Sequence, residues 1–114
     1  MATIINFWRL KRCDMRIIAF RMLREFFEKH ANSENSLRSW YKEVNDAVWQ
    51  SPNDVKLDYP SASIIKNNRI IFNIKGNDYR LVVKFNFKIG NAWIKFIGTH
   101  AEHDKIDVNT VQNR

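Results

Sequence analysis

The spacing of apolar residues divides the chain into a helical first half and a second half of alternating strands. Between residues 21 and 49, apolar side chains recur every three or four positions, which is the spacing of helices with one buried face. After Pro60 the spacing changes to two, which is the period of a strand with one buried face. The change of period predicts an α+β domain in which helices cover a sheet.

Short segments with clear end signals are predicted in the first half. Residues 15–20 have the composition of a short strand, and residues 21–30 and 34–49 are predicted to form two helices. Ser51-Pro-Asn-Asp54 is typical of a helix start, because serine caps the helix, proline occupies its first turn and an acid follows. Pro60 ends this third, short helix.

Three alternating segments predict an antiparallel meander. They cover residues 69–75, 79–88 and 92–98, with turns at Gly76-Asn77-Asp78 and Gly90-Asn91. In the third strand, Ile94 and Phe96 are assigned to the core, and Trp93, Lys95 and Ile97 to the opposite face. The predicted fold is therefore two N-terminal helices packed on one face of a small, twisted antiparallel β-sheet.

The chain is predicted to contain a single domain over residues 15–114. Residues 1–14 follow neither period and are expected to form a poorly ordered extension. Cys13 is the single cysteine, so no internal disulfide can form, and a reducing compartment fits best. No apolar run has the length of a membrane span or of a signal-peptide core. We therefore expect a cytoplasmic protein with no membrane partner.

Positive charge is concentrated in the strands. The net charge is +7, and residues 64–98 contain seven cations and one acid, which makes +6 in that stretch. Alternation places a basic and polar set on the sheet face opposite the helices: Arg69, Asn73, Lys75, Arg80, Lys84 and Lys95. Such a face suits a polyanion, although a basic surface that only aids solubility has the same composition.

The sequence lacks the motifs of most catalytic chemistries. His100, His103 and Asp104 form a weak metal-ligand pattern, and no HExxH or CxxC is present. No glycine-rich phosphate loop and no serine elbow occurs. Neither a metal nor a cofactor is therefore predicted.

Metal-free RNA cleavage needs only side chains that this chain has. The 2′-hydroxyl of the RNA is the nucleophile, histidines such as His100 and His103 transfer protons, and cations stabilise the transition state. Arg80, Lys75 and Lys84 are the candidate cations. A basic RNA-binding sheet with exposed histidines, or a basic face for an acidic protein partner, remains compatible with the same residues.

Two blocks of sequence resemble the HigB-type toxins of the RelE-like superfamily. Residues 69–84 contain N-x-K-G-N-x-[YF]-R, and residues 96–105 contain T-H-x-E-[YH]-D. Trp40-Tyr41 and Tyr59-Pro-Ser-Ala-Ser63 also match, so the resemblance covers about residues 15–107. It implies helices packed on an antiparallel sheet and a ribosome-dependent endoribonuclease that cuts translated mRNA. It also implies a helix-turn-helix antitoxin of the HigA kind, and operator DNA bound only through the toxin–antitoxin complex.

The resemblance also implies roles for particular residues. Lys75, Arg80 and His100 match active positions, and Asn73 and Asn77 match positioning groups. A tyrosine is expected where this chain has His103, which leaves base stacking, proton transfer or exposure to solvent open for that residue. Arg80 has an alternative role as an anchor for Asp104. The remaining predicted RNA contacts come from the basic face: Arg69, Lys84 and Lys95.

Overall fold

A computed structural model describes residues 15–111, which form an α+β fold as predicted. The strands are β1 (Arg16–Ile18), β2 (Ser63–Ile65), β3 (Arg69–Ile74), β4 (Tyr79–Asn86) and β5 (Asn91–Thr99). The helices are α1 (Phe20–Lys29), α2 (Glu34–Asn45), α3 (Pro52–Asp58) and α4 (His100–His103), with a 3-10 turn at Ala31–Ser33. The predicted extension at residues 1–14, which includes Cys13, lies outside the described residues.

The five strands form one mixed sheet in the order β1-β5-β4-β3-β2. Strands β2 to β5 are antiparallel neighbours, which agrees with the predicted meander. Strand β1 pairs parallel with β5, with Ile17 opposite Ala92, so the sheet is not antiparallel throughout. Helices α1 to α3 and strands β2 to β4 lie between β1 and β5 in the chain, and a parallel pair needs such a long connection. Strand β2 was not predicted, because three residues are too few to display a period of two.

Helix α2 ends at Asn45, although the apolar spacing continues to Trp49. Trp49 is buried in the core, and its indole Nε1 donates to Asp58 at 2.8 Å. The residues after Asn45 therefore pack inward from a non-helical segment, which the spacing alone cannot distinguish from a helix. The start of α3 agrees with its prediction, because the Ser51 side chain accepts a hydrogen bond from the Asp54 amide.

The core lies between the helices and one face of the sheet, here called the inner face. Trp40 of α2 packs edge-on against Phe72 of β3, with ring centroids 5.4 Å apart. Fully buried aliphatic side chains from both layers surround this pair: Leu23, Leu37, Val44, Ile70, Leu81, Val83 and Ile94. The opposite side of the sheet, the outer face, presents the candidate functional residues of β4.

A β-bulge reverses the side-chain alternation of β5. Val82 pairs with Phe96 and Val83 pairs with Ile94, so Lys95 is an extra residue between the two pairs. Beyond Lys95 the faces exchange: Phe96 lies on the outer face with Val82, and Ile97 packs against the core. The predicted faces of Phe96 and Ile97 were therefore wrong, because a regular period of two does not include the inserted residue.

Candidate active site

Helix α4 follows β5 directly, and a reciprocal cap fixes its first turn. The Thr99 hydroxyl accepts from the Glu102 amide at 3.2 Å, and the Glu102 carboxylate accepts from the Thr99 amide at 2.8 Å. This capping box pairs two backbone donors that a helix start leaves unpaired. His100 is the first residue of α4, so the cap holds it at the end of β5.

The turn into α4 also requires a residue without a side chain. A Cβ atom at Gly98 would lie 2.6 Å from the Cζ atom of Phe96 and 2.7 Å from the Glu102 carboxylate. Gly98 pairs with Arg80 across the β4–β5 ladder. The close packing at Gly98 therefore connects the Glu102 cap to the strand position that carries Arg80.

Arg80 and His100 form the central contact of the site. A guanidinium Nη2 of Arg80 contacts Nε2 of His100, and Nη1 lies 3.4 Å from the Asn77 carbonyl oxygen. A guanidinium group only donates hydrogen bonds, so Nε2 is the acceptor in this contact, which places the ring proton on Nδ1. The His100 side chain is 52% exposed, so a ligand can reach it. The pair combines a fixed positive charge with an accessible imidazole.

Asp104 lies between the two histidines of α4. One carboxylate oxygen is 3.8 Å from Nδ1 of His100, and the other is 3.6 Å from Nδ1 of His103. Both distances are too long for hydrogen bonds. The ion pairs of residues 15–111 do not include one between Asp104 and Arg80, so the alternative role of Arg80 as an anchor for Asp104 was wrong.

His103 does not point into solvent. Its side chain is 18% exposed, and its ring centroid lies 6.4 Å from that of Phe96 on the outer face. The solvent-facing alternative for His103 was therefore wrong. Within the described part of the chain, no group of three histidine, cysteine or acidic side chains is placed to hold a metal ion.

Lys75 leaves the face that alternation assigned to it. Its backbone has a φ of +53° at the start of the β3–β4 turn, where the strand ends. The ammonium group lies 3.5 Å from the Asp78 carboxylate. Asn73 pairs with Arg80 in the ladder, and its side-chain amide donates to the Ser61 carbonyl oxygen at 3.3 Å. Asn73 and Asn77 thus adjoin Arg80, while Lys75 occupies the turn beside them.

Arg69 is buried, in contrast to the other predicted RNA contacts. Its exposed fraction is 3%, and its Nη1 donates to the carbonyl oxygens of Val108 at 3.1 Å and Val111 at 2.6 Å. The guanidinium therefore holds the C-terminal segment against the sheet. The buried position of Arg69 fits a structural role and does not fit the predicted contact with RNA.

We expect Arg69→Met to destabilise the fold. The substitution removes two hydrogen bonds from a charged donor, each worth about 1.5–3 kcal/mol, and part of this loss is offset because the desolvated charge also disappears. The expected decrease in the free energy of unfolding is about 2 kcal/mol, measured by urea denaturation. Arg24→Met, which removes an exposed arginine of α1, is the control. Unchanged stability together with weaker RNA binding would support the predicted RNA contact instead.

Lys84 and Lys95 remain on the outer face as predicted. Lys84 lies opposite Arg69 on β3 and opposite Trp93 on β5. Burial lowers the pKa of Lys95, and the positive charges of Arg69 and Lys84 lower it further. The predicted basic face is thus divided into two areas, because α4 contacts both strands and Val82, between Arg80 and Lys84 on β4, is fully buried. Arg80 and His100 lie at one end, and Lys84 and Lys95 lie at the other.

Comparison with known families agrees with this arrangement. The HigB toxin family, described as the RelE-like toxic component of a toxin–antitoxin system, matches residues 33–106. This span exceeds half of the chain and includes both areas of the outer face. The chain belongs to the HigB toxin family.

Individual relatives cover most of this HigB family member. The mRNA interferase HigB of Escherichia coli O6:H1 is 27% identical over 94 residues, which are 81% of this chain and 91% of the relative. The mRNA interferase toxin HigB of Escherichia coli K12 and the mRNA interferase HigB of Shigella flexneri are each 25% identical over 92 residues. Those alignments cover 79% of this chain and 88% of each relative. The predicted family membership is confirmed.

None of the helices within residues 15–111 of this HigB family member is both long and apolar enough to cross a lipid bilayer.

Sequence reasoning missed two residues that build the site, Gly98 and Glu102. The Thr99-x-x-Glu102 spacing is the signature of a capping box, so the cap was open to prediction from the sequence. The role of Gly98 was not, because its neighbours Phe96 and Glu102 approach it only after the bulge has turned Phe96 to the outer face.

Proposed function

We propose that this protein is the toxin of a type II toxin–antitoxin system and that it cleaves mRNA on the translating ribosome without a metal ion. The contact between Arg80 and the exposed His100 carries this proposal. The family match and the mRNA interferase names of the relatives support it. The site of action is the bacterial cytoplasm, where mRNA is translated.

The proposed reaction uses the RNA 2′-hydroxyl as nucleophile. The 2′-oxygen attacks the adjacent phosphorus, the bond to the 5′-oxygen breaks, and the products carry a 2′,3′-cyclic phosphate and a 5′-hydroxyl. His100 accepts the 2′-hydroxyl proton at Nε2, which is the unprotonated nitrogen of the neutral ring. Arg80 stabilises the charge that develops on the phosphate oxygens.

Substrate binding prepares His100 for this step. In the free protein the Arg80 guanidinium covers the Nε2 lone pair. A phosphate attracts the guanidinium more strongly than a neutral imidazole does, since the new contact pairs opposite charges. The guanidinium then moves onto the phosphate and leaves Nε2 free to accept the proton. The phosphate itself thereby activates the base.

The remaining predicted residues have supporting roles. We assign protonation of the 5′-oxygen to Lys75, whose ammonium group lies beside Asp78 in the β3–β4 turn. Asn73 and Asn77 position the strand beside Arg80. His103 acts through Asp104, which lies between it and His100 and helps to keep the His100 proton on Nδ1.

The proposed partners follow from the toxin assignment. A helix-turn-helix antitoxin of the HigA kind neutralises the toxin, and the complex binds operator DNA through the antitoxin. Finding an open reading frame for such a protein next to this gene would support the proposal. Its absence, together with normal growth when the toxin alone is produced, contradicts it.

Induced expression separates an enzyme from a binding module. If the protein is an mRNA endoribonuclease, induction arrests growth and shortens messages within reading frames, as mapped by primer extension. Co-expression of the antitoxin restores growth and full-length messages. Growth arrest with intact messages would identify a non-catalytic RNA- or ribosome-binding module, and the cleavage proposal would then be wrong.

We expect Gly98→Ala to impair cleavage more than stability. The new Cβ displaces the Glu102 carboxylate from the Thr99 amide, so α4 loses a cap worth about 1 kcal/mol. His100 then shifts relative to Arg80, and we expect the cleavage rate to fall by about a hundredfold, the loss that a misplacement of about 1 Å produces. Cleavage in a translation extract and urea denaturation measure the two effects.

The variant Glu102→Gln is the matched comparison for Gly98→Ala. A glutamine side chain can still accept from the Thr99 amide, so α4 and cleavage should remain close to those of the unsubstituted toxin. Normal cleavage by Gly98→Ala would mean that the packing at Gly98 does not position His100.

A further inference from the structure

A second cationic area lies at the end of β4 away from Arg80. Lys84 follows Arg80 by four residues on the same outer face, which places their Cα atoms about 13 Å apart at the usual rise of a strand. Lys84 pairs with Arg69 on one side and with Trp93 on the other. The ladder therefore forms a row of two cations and one indole across three strands.

This row borders a shallow cleft that combines positive charge with an aromatic ring. The partly exposed Trp93 lies beside Lys84 and Lys95, and the full lining is Asn68, Lys84, Phe85, Asn86, Trp93 and Lys95. Proteins that bind single-stranded nucleic acids use this combination, since cations contact the backbone and aromatic rings stack on bases.

Within the described residues, the two cations of the row, Lys84 and Arg69, form no ion pair with an acid. The Arg69 guanidinium donates through Nη1 to two carbonyl oxygens, which are neutral acceptors and leave its full charge in place. Burial lowers the pKa of Lys95, and the positive charges of Arg69 and Lys84 lower it further. An anion bound here would relieve the repulsion.

We infer that this cleft is a second RNA-binding site, in which Lys84 and Lys95 contact a phosphate and Trp93 stacks on a base. The inference rests on the proposed function, because the ligand is the same strand that is cut at Arg80 and His100. At the duplex rise of about 3.4 Å per nucleotide, 13 Å corresponds to at most about four nucleotides, and an extended single strand spans it with fewer. The second site thus binds the mRNA a few nucleotides from the cleaved bond.

Binding of a labelled single-stranded RNA oligonucleotide tests the second site. The full-length His100→Ala toxin, which should not cut the RNA, is the parent, and fluorescence anisotropy over a range of salt concentrations gives Kd and its salt dependence. Adding Lys84→Gln and Lys95→Gln should raise Kd about tenfold and reduce the log–log salt slope by about 0.7, the value for one single-strand phosphate contact.

A second variant separates stacking from charge. Trp93→Leu in the same parent should raise Kd about tenfold, the usual effect of losing one stacked base, without a change in the salt slope. With an oligonucleotide that lacks bases at the bound positions, Trp93→Leu should have no effect. An equal loss for both oligonucleotides would overturn the stacking contact. Circular dichroism verifies that each variant is folded.

The control makes the same charge change elsewhere. Lys29→Gln with Lys42→Gln removes two exposed lysines from α1 and α2 and should leave Kd and the salt slope close to those of the parent. If the Lys84 and Lys95 variant binds as tightly as the parent, the second site is wrong. That result does not contradict the proposed function, because cleavage by the unsubstituted toxin is measured separately. If the unsubstituted toxin neither cuts mRNA nor binds it, the proposed function fails as well.

Discussion

His100→Ala is expected to lower the rate of mRNA cleavage by a factor of about 10²–10⁴, which is the usual contribution of a general base. The side chain is half exposed, and its atoms contact Arg80 and approach Asp104 rather than the core. The variant should therefore fold normally. The measurement is primer extension on a message translated in an extract, with the rate of appearance of cut ends compared between variants.

A conservative variant distinguishes proton transfer from hydrogen bonding at this position. His100→Gln places an amide near the Nε2 position, but an amide does not accept a proton at neutral pH. If His100 is the base, the glutamine variant is as inactive as the alanine variant. Substantial cleavage by His100→Gln would mean that the imidazole only positions Arg80 or the substrate.

Arg80→Ala is expected to lower the cleavage rate by a factor of about 10²–10³, which is the usual effect of removing one group that stabilises transition-state charge. Arg80→Lys should restore only part of the rate, since an ammonium group cannot form the two parallel hydrogen bonds to a phosphate that a guanidinium forms. Arg21→Ala is the matched control, because Arg21 is an exposed arginine of α1 that pairs with Glu25. It should cleave as fast as the unsubstituted toxin.

The double variant tests whether Arg80 and His100 act together. Groups that serve one chemical step are not additive, so Arg80→Ala with His100→Ala should lose little more activity than the more damaging single change. Multiplication of the two single effects would show that the residues act independently, and the proposed activation of His100 by phosphate binding would then be wrong.

Periodicity was sufficient to separate the helices from the strands and to predict the meander of β3, β4 and β5. The change of period after Pro60 separates the helices from the strands, and the strand turns coincide with Gly76 and Gly90. Burial creates these periods directly, because each element must hide one face. The parallel pairing of β1 with β5 leaves no such trace, since three residues paired in either direction have the same composition.

Alternation failed where the backbone departs from a regular strand. The bulge at Lys95 reverses the faces of the residues that follow it. The left-handed backbone of Lys75 changes the direction of its own side chain. Arg69 follows the alternation, but the C-terminal segment covers it. The contact between Arg80 and His100 joins residues 20 positions apart, and the resemblance to HigB toxins indicated both of them before the fold was known.

Cleavage of a message with a single 2′-deoxynucleotide tests the central claim most directly. The substitution is placed on the 5′ side of a bond that the toxin cuts in the all-RNA message, and both messages are translated in the same extract. If the RNA supplies the nucleophile to the Arg80–His100 pair, the modified bond remains intact while other sites are cut as before. Cutting of the modified bond at the original rate would contradict the account, because the attacking oxygen would then come from elsewhere.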